Sequence, residues 1–118
     1  MTSRPGPELE ALIGEDALIR LAEAFGGTRL YVPVTISAAH DIARAIGVEA
    51  ARRLSERLAP DVVRVPLARE QRARHYRAAG KSNAQIARAL GITESGVDKL
   101  FARRRARGDD RQPSLFGD

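Results

Sequence analysis

The chain has 118 residues, 20 Lys and Arg against 15 Asp and Glu, no cysteine, and only three Phe and two Tyr as aromatics. That length argues against a large enzyme, and the missing cysteine excludes disulfide frameworks, thiol catalysis and thiolate metal sites. With no Trp, the core has to be built from Leu, Ile, Val and Ala, which bury less area per residue and invite support from a partner.

Residues 1 to 7 carry no apolar run of the kind that opens a secretory signal and are read as a flexible N-terminus. Nowhere does the chain approach the roughly 20 apolar residues that span a bilayer. The expectation is a cytoplasmic protein with no membrane partner.

A shift of 33 residues lays Ile13-Gly14, Ala17, Arg20-Leu21, Glu23 and Val32-Pro33 on Ile46-Gly47, Ala50, Arg53-Leu54, Glu56 and Val65-Pro66. The chain therefore carries two copies of one unit, residues 8 to 34 and 41 to 67. Leu9, Leu12, Ile13, Ala17, Leu21 and Phe25 fall at helical spacing, as do Ile42, Ile46, Ala50, Leu54 and Leu58, so each copy presents one apolar stripe of a helix. Gly14 and Gly47 interrupt those stripes and mark a bend or a short helix joined to a longer one. After each helix comes a β-prone run, Arg29 to Val32 and Val62 to Val65, stopped by a Pro that cannot donate to a ladder. Ser37 is the expected N-cap of the second copy's helix, and Ala59-Pro60-Asp61 its closing turn. Because Ala59-Pro60 stands where the first copy has Gly26-Gly27, the two helix-to-strand turns are expected to differ.

A two-stranded ribbon with few aromatics is marginal by itself in water. Residues 8 to 66 are accordingly read as a homodimerisation region, with Leu21, Phe25, Leu30, Tyr31, Val32, Leu54, Val63 and Val65 as its contacts. A self-sufficient small α+β unit is the alternative.

From Ala68 onward the pattern is wholly helical, divided into three pieces by Gly80-Lys81-Ser82 and Gly91-Ile92-Thr93. Ala73 and Tyr76 share one side of the first piece. Ser82 and Gln85 form a capping box for the second, whose Ile86, Ala87 and Leu90 point inward. Thr93 caps the third, with Val97, Leu100 and Phe101 packing inward at i, i+3, i+4 spacing. Residues 67 to 107 are read as one domain, and residues 108 to 118 as a disordered tail. The basicity is concentrated here too: residues 67 to 108 hold 11 basic and 3 acidic side chains, which favours a polyanion, with a merely solvated basic face as the other reading.

The arrangement Asn83-x-x-Ile86-Ala87-x-x-Leu90-Gly91-Ile92-Thr93-x-x-x-Val97-x-x-Leu100 resembles the helix-turn-helix of DNA-binding regulators. A small Ala87 lets two helices cross closely, Gly91 eases the tight turn, and Val97 seals the crossing. In that geometry the third helix reads the major groove of double-stranded DNA, and Thr93, Glu94, Ser95, Asp98, Lys99 and Ala102 are its candidate readers. Glu94 or Asp98 can accept from cytosine N4 and Lys99 can donate to guanine, although the two acids can equally serve to favour the helix N-terminus. Lys81, Ser82, Asn83 and Gln85, with Arg103, Arg104 and Arg105, are placed for phosphates.

The stretch Phe25-Gly26-Gly27-Thr28-Arg29-Leu30-Tyr31-Val32-Pro33, followed by this helix-turn-helix, resembles the Mor family of phage middle-operon transcription activators over roughly residues 8 to 105. The resemblance implies dimerisation through residues 8 to 66, DNA contact through residues 82 to 104, binding to an imperfect inverted repeat beside a promoter, and recruitment of host RNA polymerase. It also implies activation and a place on the bacterial nucleoid.

The terminus Gln112-Pro113-Ser114-Leu115-Phe116 is similar to the short peptide that docks bacterial proteins on the replication sliding clamp, with Gln112, Leu115 and Phe116 as the anchors. His40 and His75 stand apart with no carboxylates at metal spacing, and no nucleophile, base and orienter assemble, so no catalytic residues, metal or cofactor are expected and the chain is not read as an enzyme. The fold expected is mainly α, with a helix-and-short-strand dimerisation region followed by a three-helix DNA-binding domain. The function expected is a homodimeric phage or prophage transcription regulator, and the alternative is a clamp-docking adaptor that binds DNA nonspecifically.

Overall fold

Gly14 and Gly47 adopt one backbone conformation, φ 89° with ψ 162° and φ 92° with ψ 154°, and each divides a helix from its successor. The computed structural model describes residues 5 to 108, with side chains from Glu8 to Arg103. Its elements are α1 (Pro5–Ile13), α2 (Glu15–Phe25), β1 (Arg29–Val32), α3 (Asp41–Ile46), α4 (Val48–Leu58), β2 (Asp61–Arg64), α5 (Arg69–Ala78), α6 (Asn83–Leu90) and α7 (Glu94–Gly108). The protein is thus mainly helical, with one small two-stranded antiparallel sheet. It divides into two compact units, the first reaching to Ala68 and the second starting at Arg69. Ala68 takes a positive φ of 52°, a left-handed conformation that costs a side-chain-bearing residue about 1–2 kcal/mol.

In the first unit the two copies repeat their hydrogen bonds as well as their residues. Gly14 N–H donates to Glu10 O at 2.8 Å and Leu18 N–H to Gly14 O at 3.0 Å; Gly47 N–H donates to Ala43 O and Ala51 N–H to Gly47 O at the same distances. Each glycine therefore closes one helix and opens the next, which resolves the two readings of those positions in favour of paired helices. The apolar stripes meet in one core, in which Leu18, Leu21, Val32, Ile42, Ile46, Leu54 and Val65 are fully buried. Burial of each large aliphatic side chain contributes about 1.5–3 kcal/mol, and the alternation of the strands turns Val32 and Val65 inward.

β1 and β2 pair with each other, Arg29 opposite Arg64, Leu30 opposite Val63, Tyr31 opposite Val62 and Val32 opposite Asp61. This is the two-stranded ribbon expected from the sequence. The ribbon closes within one chain and packs on that chain's own helices, so Leu21, Val32, Leu54 and Val65, expected to contact a second copy, are buried in their own core instead. Phe25, Leu30 and Val63 are half-buried against that core, and Tyr31 is exposed.

Three local expectations also change. The N-cap of α3 is His40 rather than Ser37: the His40 Nδ1 accepts from Ile42 N–H at 3.1 Å, while Ser37 serves through its carbonyl, which accepts from His40 N–H. Pro5 to Pro7, read as flexible, lie in α1, where proline is tolerated because the first-turn amides have no intrahelical partner. Gly108 belongs to α7 rather than to a tail. The two helix-to-strand turns do differ, since Gly27 takes φ 82° and donates to Val65 O at 2.8 Å, whereas Pro60 has no N–H to donate and follows a cis peptide bond.

The segment joining the copies is held by Ser55, a buried hydroxyl whose Oγ lies 2.9 Å from Pro33 O and 2.6 Å from Val34 O. On the outer face of α4, Arg52 is hydrogen-bonded to Glu49 and Glu56, which hold its guanidinium pKa above the ordinary value, Glu49 foremost. These pairs are more than half exposed, so they add little to stability.

Candidate nucleic-acid interface

The second unit is built from three helices, and both ends of α6 and the start of α7 are locally specified. Ser82 Oγ accepts from Gln85 N–H at 3.2 Å and Gln85 Oε1 accepts from Ser82 N–H at 2.9 Å, so the capping box that opens α6 is complete. At the far end Gly91 is left-handed, φ 72° and ψ 34°, and Ile92 N–H donates back to Ala87 O at 3.0 Å. That pattern satisfies the terminal carbonyls of α6 and turns the chain within three residues. Thr93 Oγ1 then accepts from Gly96 N–H at 3.0 Å, capping α7.

Packing follows the same logic. Ala73, Ile86, Ala87, Leu90, Val97 and Leu100 form the buried core, with Tyr76, Ile92 and Phe101 packed against it. Since α7 spends Val97, Leu100 and Phe101 on the core, Glu94, Ser95, Asp98, Lys99 and Ala102 stand on its exposed side with Thr93 at its start. Lys81, Ser82 and Gln85 are exposed at the start of α6, and Asn83 is half-buried.

The side chains expected to bind DNA are not all free to do so. Asn83 Nδ2 donates to Asp98 Oδ1 at 3.0 Å, and the Asn83 Oδ1 accepts from Arg77, whose guanidinium stacks on the Phe101 ring 4.8 Å from its centroid. Asn83 thus links all three helices, and Asp98 is already hydrogen-bonded. Arg103 stands 3.8 Å from Glu70. The side chain of Arg104, and the trio Gln112, Leu115 and Phe116, lie outside what the structure describes.

No protein-family model, curated protein or solved structure matches this chain.

Two bracing residues escaped the reading of the sequence. Arg72 donates to Tyr76 Oη at 3.2 Å and to Ala89 O, near the end of α6, at 3.0 Å. Arg77 braces the other end through Asn83 and Phe101. The i, i+4 spacing of Arg72 and Tyr76 was a usable signal, whereas the reach of both arginines to distant helices was not. Among the described residues no three His, Asp or Glu gather as metal ligands, and no helix is long and apolar enough to cross a membrane.

Proposed function

We propose that this chain is a sequence-specific DNA-binding transcription regulator whose helix-turn-helix is α6, the Gly91–Thr93 turn and α7. The observation that carries the reading is the division of labour on α7: Val97, Leu100 and Phe101 hold it to its unit while Thr93, Ser95 and Lys99 stay exposed near its N-terminal end. A helix docked in the major groove reads bases with that end. Exposed Lys81 and Ser82 precede α6, where helix amides and positive charge suit phosphate. The excess of 11 basic over 3 acidic residues between positions 67 and 108 supplies attraction along the whole duplex.

The Phe25 to Pro33 stretch, by its resemblance to Mor-type activators, supports a phage or prophage regulator that activates by recruiting RNA polymerase. A homodimer is left out of this reading, because the two copies of the repeat share one buried core within a single chain.

The test is selection of bound fragments from a random DNA library by the purified protein near physiological salt, since low salt inflates nonspecific binding. An enriched motif is expected, with Ser95→Ala and Lys99→Ala changing which bases are enriched. Lys81→Ala is expected to weaken binding on every sequence and to lower the salt slope by about one. Retention without a motif, lost as salt rises, would overturn the regulator and leave an adaptor that holds DNA only by charge.

A further inference from the structure

The 33-residue repeat and the register of the ribbon have a common geometry. Leu30 is opposite Val63, its own counterpart in the other copy; Arg29 is opposite Arg64, the counterpart of Tyr31; and Tyr31 is opposite Val62, the counterpart of Arg29. Such reciprocity is the signature of a two-fold interface, in which residue i meets j and j meets i. Helix packing obeys it as well, since α1 packs on α4 and α3 packs on α2. The first unit is therefore an internal pseudo-dimer, its two-fold axis passing through the Leu30–Val63 pair.

Two features commit this interface to a single chain. The side chains that the two copies share, Leu18, Leu21, Ile42, Ile46 and Leu54, have 2% or less of their surface exposed, so the core between the copies is complete within one chain. The anchor of the joining segment is also asymmetric. Ser55, which holds Pro33 and Val34, occupies the position of Ala22 in the first copy, where an apolar methyl could not hold those carbonyls. A hydroxyl is present in the copy that must grip the joining segment and absent from the other.

We infer that the protein works as a monomer, its dimerisation module duplicated and closed within one chain, so that one closed module carries one reader helix. Resting on the DNA-binding reading above, the inference assigns the target class: a single non-palindromic stretch of duplex DNA rather than an inverted repeat. Operator palindromy mirrors a two-fold axis that relates two reader helices, and here the axis relates two halves of a chain that holds one.

Three measurements on the full chain test it. Sedimentation equilibrium at micromolar concentration is expected to give the mass of one chain, and twice that mass, including a strand-swapped pair, would overturn the inference. In a gel shift, the chain mixed with a version enlarged by a fused carrier protein is expected to give two shifted bands; a third, intermediate band would show two chains on one DNA and overturn it. The motif enriched from the random library is expected to be asymmetric, and an inverted repeat would overturn the single-site assignment while leaving DNA reading by α7 intact. Absence of any motif would overturn the DNA reading, and the assignment of the target with it, whereas the sedimented mass decides chain closure independently of DNA.

Discussion

Leu30 and Val63 face each other across the β1–β2 ladder, and each is the other's counterpart in the repeat. They differ by one methylene, and the difference falls where there is space: Val63 lines a cleft of about 480 Å³ together with Leu9, Leu12 and Leu58.

Val63→Leu places that methylene into the cleft at a position whose counterpart already accepts leucine. Each fully buried methylene is worth about 0.8 kcal/mol, and this cleft is partly open to solvent, so the variant is expected to gain up to about 0.5 kcal/mol in urea unfolding followed by circular dichroism, whereas Leu30→Val is expected to lose about 0.5 kcal/mol. A clear loss on Val63→Leu would contradict the equivalence of the two positions.

Gly14 and Gly47 provide a test by sign. In an ordinary helix interior, Ala in place of Gly stabilises by about 1 kcal/mol. Here both glycines have φ near +90° and ψ near 160°, a region open essentially to glycine alone. Gly14→Ala and Gly47→Ala are each expected to destabilise by about 1–3 kcal/mol. No atom lies within 4 Å of a Cβ built at either position, so the penalty is one of backbone conformation and not of collision. Equal costs within about 1 kcal/mol are expected from the matched geometry; stabilisation by either substitution would exclude it.

Asp98 separates two roles of a carboxylate. Its Oδ1 accepts from Asn83, and an Asn at position 98 keeps an acceptor there while removing the charge. Asp98→Asn is therefore expected to leave unfolding unchanged within about 0.5 kcal/mol and to tighten binding to DNA of any sequence several-fold, because one negative charge fewer faces the phosphates. The check is a titration of selected and scrambled duplexes. Weaker binding confined to sites with a particular base would instead identify Asp98 as a reader of cytosine.

Much of the second unit was legible from spacing. The capping box of Ser82 and Gln85, the turn at Gly91, the cap at Thr93 and the inward set Ile86, Ala87, Leu90, Val97 and Leu100 all appear in the structure as the sequence suggested. These are relations between residues no more than about four apart, where the partner is the neighbouring turn of the same helix. Asn83 and Asp98 were less legible. Fifteen positions separate them, and either could have faced solvent.

In the first unit the 33-residue repeat and both apolar stripes could be read directly, because periodicity records which face of each element is buried. What covers that face is not recorded. A strand offers the same row of amides and carbonyls to its own chain as to another copy, and Leu21, Val32, Leu54 and Val65 would be apolar in either arrangement. Local sequence by itself determined the helices, their glycine breaks and the caps of the second unit. Only the tertiary structure decided that the two copies close on each other, since β1 must find β2 across about thirty residues and that choice depends on chain connectivity and register rather than on the residues of either strand.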